Sequence, residues 1–114
     1  MFFNNENQME QLVKKHQWEK ISKKMHSADT QSRMVLATAC GSSFDEDSTH
    51  TLIKLLSDSD EGVLIQAIKS LGAIGGDTVK THLLSLTERL PDSATAVKAE
   101  IRESISKITA SKRK

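Results

Sequence analysis

Apolar residues recur along this chain at helical spacing, most densely in residues 62–76, GVLIQAIKSLGAIGG. Val63, Ala67, Leu71 and Ile74 stand four, four and three apart, which is one face of an α-helix, and Leu64, Ile65 and Ile68 add apolar surface outside that face. A helix this apolar must be covered on several sides. The run is expected to stop on Gly72, Gly75 and Gly76, which can take the left-handed conformation common at helix exits.

Upstream, Met9, Leu12, Val13 and His16 begin a stripe that Trp18, Ile21 and Met25 continue with a phase shift, predicting one bent helix or two short ones over about 7–26. Residues 27–29 offer N-cap oxygens to a helix over about 30–41, with Met34, Ala37 and Cys40 three apart and Gly41 as its exit. Asp47 and Ser48 are expected to cap a helix carrying Leu52, Leu55 and Leu56. Asp58 followed by Glu61 reads as a weak capping box opening the 62–76 helix. Asp77 then caps a helix with Val79, Leu83, Leu86 and Leu90, which Pro91 breaks. Asp92 or Ser93 starts the last helix, on Val97, Ile101, Ile105 and Ile108. No stretch alternates like a strand, so the fold class is all-α.

The helices repeat. With an offset of 31 residues, Ile21 falls on Leu52, Met25 on Leu56, Asp29 on Asp60, Cys40 on Leu71 and Gly41 on Gly72. With an offset of 34, Leu52 falls on Leu86, Leu56 on Leu90, Val63 on Val97, Ala67 on Ile101 and Leu71 on Ile105. A fixed period in this range signals a stacked α-solenoid, in which no helical pair can bury its apolar face alone. The pattern predicts a single domain over 1–114, with pairs at about 7–41, 47–76 and 77–108 and a basic tail over 109–114.

The central unit, LIKLLSDSDEGVLIQAIKSLGAIGG at 52–76, resembles the short bacterial, PBS-lyase type of HEAT repeat. The resemblance rests on Leu55, Leu56, Asp58, Asp60, Val63, Ala67, Leu71, Gly72, Ile74 and Gly75, and with its flanking units it covers about 18–108. The family's usual Arg after Val is Leu64 here, with Arg33 and Lys98 at the equivalent places in the first and third units. The resemblance implies a right-handed stack of about three HEAT-like helical hairpins, first helices on the convex side and second helices lining a concave side. Such faces commonly bind other proteins.

Composition narrows the class. At 114 residues, 27% charged and 37% apolar, the chain reads as one globular domain able to bury roughly two thirds of its unfolded surface. No window resembles a membrane span, and the start, Phe2 and Phe3 running into Asn4, Asn5, Glu6 and Asn7, lacks a basic start and an apolar core for a secretory signal. With a lone Cys40, this predicts a cytoplasmic protein. The net charge of +1 hides basic ends, Lys14, Lys15, Lys20, Lys23 and Lys24 and then Lys112, Arg113 and Lys114, around an acidic middle of Asp45, Glu46, Asp47, Asp58, Asp60 and Glu61.

Catalytic chemistry finds no constellation. His16, His26, His50 and His82 are scattered and form no metal-ligand spacing. The 45–47 acids do not fit a calcium loop and are better read as negative charge at a helix start. Cys40 shares its repeat position with Leu71 and Ile105, so it reads as core. Trp18 reads as a core or end-cap residue. No cofactor and no enzymatic activity are expected.

The candidate site comes from helical phase. Ile65 and Lys69 point away from the core face of their helix, and the repeat offsets place Met34, Ile65 and Ala99 in one row and Thr38, Lys69 and Glu103 in another. An apolar strip beside a polar one predicts a protein-binding surface on the concave face. The alternatives are nucleic-acid contact through Lys14, Lys15, Lys20, Lys23 and Lys24, and an accessory subunit of an enzyme. Self-association through the solenoid ends is a further expectation.

Overall fold

The computed structural model describes residues 5–111, with side chains from residue 8, and those residues form seven helices. They are α1 (Asn5–Lys14), α2 (Trp18–Met25), α3 (Thr30–Cys40), α4 (Glu46–Leu55), α5 (Glu61–Ile74), α6 (Asp77–Arg89) and α7 (Thr95–Ser111). Phe2, Phe3 and the basic residues 112–114 lie outside the described residues. The helices α1, α3, α5 and α7 pack side by side in that order, and α2, α4 and α6 form a second layer against them. The result is a slab of 44 × 35 × 20 Å.

The phase shift between the stripes of Val13 and Trp18 has a physical counterpart. The chain breaks at residues 15–17, where His16 takes a left-handed φ of 57°, and α1 swings out of the layer of α2. It joins the layer of second helices instead, against α3. Helix α2 lies in the outer layer against α1 and α4, and α1 is an additional helix laid against α3.

One cap agrees with its expected position, at Asp29, and three differ. Asp29 accepts the Ser32 N–H at 2.8 Å, and Asp60 accepts the Val63 N–H at 2.9 Å. Asp60, not Asp58, opens α5, because Asp58 is turned toward Arg33. At α4 the N-cap is Asp45, and Ser48 lies inside the first turn with its hydroxyl donating to the Ser43 and Asp45 carbonyls. Gly76 precedes α6, and Asp77 is its first helical residue. The exit of α5 is made by Gly75 and Gly76, both at positive φ. Gly72 is internal to the helix and fully covered.

Leu36, Leu52, Ile68, Leu71, Leu83, Ile101 and Ile108 are fully buried between the layers, each burial contributing about 1.5–3 kcal/mol before chain entropy is charged against it. Polar groups also tie the stack. Ser70 Oγ donates to the Ala37 carbonyl at 2.7 Å, and Ser104 Oγ to the Ile68 carbonyl at 3.1 Å, each across a boundary between neighbouring second helices. Arg33 Nε donates to Asp58 at 2.7 Å and its Nη1 to the Ala28 carbonyl, linking the first repeat to the turn of the second. The next rung is missing. Leu64 is buried where an Arg would stand, and Lys98 pairs, among the described residues, with Asp92 of its own repeat at 3.6 Å.

Candidate functional site

A groove of about 650 Å³ opens between α1 and α3, the size of many ligand pockets. Val13, Met34, Val35 and Ala39 supply apolar wall, and residues 42–45 close the end where both helices finish. Phe44 stands on that rim with 75% of its surface exposed. An aromatic ring left in water beside an apolar cleft has a large area to gain from a partner. Along the groove Lys14 pairs with Glu10 at 3.6 Å, and His16 hydrogen-bonds Asp45. No charged side chain of α3 lines it.

His16 and Asp45 build the closed end. The left-handed backbone at His16 turns its ring toward the α3–α4 loop, where Nδ1 hydrogen-bonds Asp45 Oδ2. Trp18 Nε1 donates to the same oxygen at 3.2 Å, and the two rings meet edge-on with centroids 6.5 Å apart. The hydrogen bond from His16 holds the Asp45 carboxyl below its ordinary pKa, with a smaller downward contribution from Trp18 and partial desolvation opposing both. Asp45 is the N-cap of α4 by position yet makes no side-chain cap bond. Nearby, Ser43 Oγ is buried with no hydrogen-bond partner among the described residues.

The expected site residues divide. Met34, half-buried, and Thr38, exposed, both line the groove. Ile65 is half-buried and packs against the core, so it does not stand clear of it as the helical phase implied. Lys69 is exposed 4.0 Å from Glu100, and Ala99 and Glu103 are exposed on α7. These four lie along α5 and α7 and do not line the groove. Of the lysines, Lys14, Lys15, Lys20, Lys23 and Lys24 are all exposed, with Lys14 held by Glu10 and Lys23 by Glu19 at 3.4 Å.

Elsewhere, Cys40 is fully buried and its thiol pKa is pushed up by desolvation to about 12. Among the described residues, no three His, Cys, Asp or Glu side chains gather as a metal site, and no helix is long and apolar enough to cross a membrane. Periodicity gave Phe44 no role, put His16 in a helical stripe and read Asp45 only as charge at a helix start; it could not pair His16 with Asp45, because both lie outside the helices and are 29 residues apart. The available signal was a lone Phe in the polar stretch SSFDED.

A family model described as HEAT repeats matches residues 19–106. No curated protein and no solved structure matches the chain. The match spans α2 to most of α7 and leaves α1 outside. One wall of the groove therefore belongs to the repeats and the other to a helix that precedes them.

Proposed function

The chain belongs to the HEAT-repeat family, and from that premise we propose that it is a non-enzymatic protein-binding module whose α1–α3 groove receives an apolar segment of a partner protein. The observation that carries this reading is the exposed Phe44 ring on the rim of an open apolar groove. Stacked helical repeats commonly act through extended surfaces of this kind, and with Lys14 paired to Glu10 and Asp45 bonded to His16 the groove favours an uncharged, apolar segment over an ionic one. The outer residues Lys69, Ala99 and Glu103 would then serve as a secondary, polar contact for a longer partner.

A photo-crosslinking amino acid placed at Thr38 or Phe44 tests the reading in the native cell, with the same group at the exposed His82 of α6 as the control. The expected result is a discrete adduct from the groove positions that the control does not form. Equal crosslinking from all three would remove the groove as the site. The nucleic-acid alternative draws on Lys15, Lys20 and Lys24, exposed and in no ion pair among the described residues. Titration with duplex DNA and RNA at two salt concentrations decides it, since phosphate contacts must weaken steeply with salt.

A further inference from the structure

We infer that the His16–Asp45 contact is a proton-sensitive clip, which holds residues 42–45 as the end wall of the groove and strengthens the groove's grip on an apolar ligand when His16 is protonated. This inference rests on the groove being the binding site.

Three observations lead to it. First, Asp45 has been drawn away from the ordinary work of its position. A carboxylate at an N-cap accepts an amide N–H from the first turn, whereas Asp45 caps nothing with its side chain and gives Oδ2 to His16 Nδ1 and Trp18 Nε1. Second, His16 is the one non-glycine residue at positive φ among the described residues, so the backbone presents this ring at the cost of a disfavoured conformation. Third, the same loop carries the exposed Phe44 and buries the Ser43 hydroxyl with no hydrogen-bond partner among the described residues. The loop backbone is also held by the Ser42 and Ser43 N–H groups on the Ala39 and Cys40 carbonyls, each at 3.1 Å, and by the Ser48 hydroxyl on the Ser43 and Asp45 carbonyls, but none of these bonds involves the Phe44 ring or the Asp45 carboxylate.

Among the described residues, no acid besides Asp45 pairs with His16. On α1, Glu10 and Lys14 hold each other; on α2, Glu19 and Lys23 do the same; on α4, Glu46 lies 3.9 Å from His50. From α3, Gln31 and Thr38 line the groove without charge, and the exposed Lys15 is the chain neighbour of His16. Histidine is the side chain suited to change charge between about pH 5 and 8. A cationic donor to a carboxylate makes a hydrogen bond roughly twice as strong as a neutral one. Loss of that proton therefore loosens the end wall. On the acid side, the lowered pKa of Asp45 keeps the carboxylate available until the pH falls beneath the ordinary aspartate range.

Trp18 is the only Trp in the chain and shares the Asp45 oxygen, so its emission reports the clip directly. The test uses the full chain, its intrinsic fluorescence from about pH 4.5 to 8.5, and binding of the uncharged dye Nile red at about pH 5.5 and about pH 8. Two variants are compared: His16→Asn, because Asn tolerates the left-handed backbone but does not titrate, and Asp45→Asn. The wild type should show one fluorescence step and bind the dye several-fold more tightly at the lower pH, with both effects lost in each variant. A step that persists in His16→Asn overturns the clip. Equal dye binding at both pH values overturns the regulation and leaves the groove in place. No dye binding at either pH removes the groove reading, and this inference with it.

Discussion

Ser104 stands directly on Gly72. Its Oγ donates to the Ile68 carbonyl one turn earlier in α5 at 3.1 Å, and a methyl group placed on Gly72 would meet that Oγ at 2.7 Å and the Ser104 Cβ at 2.8 Å. The same relationship joins Gly41 to Ser70, where the added methyl would meet Oγ at 2.6 Å. Successive second helices thus approach closely at a glycine, and a serine of the next helix fills the space and bonds across it.

Gly72→Ala should therefore destabilise the protein even though alanine is the better helix former by about 1 kcal/mol. Overpacking a closed contact costs about 1–3 kcal/mol, so after the propensity gain the net loss should be up to about 2 kcal/mol, with Tm falling by up to several degrees. Urea unfolding measures it. Gly72→Ala with Ser104→Gly should be less unstable than the sum of the two single changes. Additive effects would mean that the two residues do not share the contact.

The Arg33–Asp58 pair bridges two repeats with side chains only 21% and 7% exposed. Asp58 also accepts the Asp60 N–H at 2.9 Å, so Asp58→Ala would strand both a guanidinium and an amide. A loss of about 2–3 kcal/mol is expected, and Arg33→Lys should lose part of it because lysine cannot make the forked contact. Thermal unfolding of both variants checks this; an unchanged Tm in Asp58→Ala would show that water replaces the bridge.

Cys40 should be chemically silent in the native state. With a folded thiol pKa raised from 9.0 to about 12, the neutral form is favoured by folding. Its contribution is constant below about pH 9 and is lost as the pH rises from there toward about 12, because only the unfolded chain releases the proton. Iodoacetamide labelling near neutral pH should proceed only as fast as the chain opens, and the stability gap between wild type and Cys40→Ala should shrink above about pH 9. Rapid labelling of folded protein would contradict the burial.

Phe44→Ser separates binding from stability. The ring is 75% exposed, so its removal should change stability by no more than about 0.5 kcal/mol, while crosslinking or dye binding at the groove should fall several-fold. Ile65→Asp should do the reverse. Ile65 is half-buried against the core, and a carboxylate there should cost about 1–3 kcal/mol while leaving the groove intact. Comparison of Tm with groove binding for the two variants would expose a wrong assignment of either residue.

The sequence by itself determined the helices, their stacking and the family, because burial of one face leaves a periodic trace. Val63, Ala67 and Leu71 are buried as their spacing required, and the offsets linking Cys40 to Leu71 and Gly41 to Gly72 announce a repeated unit whose members must cover one another. Only the tertiary structure decided that α1 lies against α3, that Arg33 reaches Asp58, that Ile65 is half-covered, and that Met34 and Thr38 share a groove with Phe44. The physical reason is that polar contacts such as His16 with Asp45, 29 residues apart, depend on the direction of side chains at chain breaks. Helical periodicity carries no information about that direction, whereas the fold sets it at the single residue where α1 leaves the path of α2.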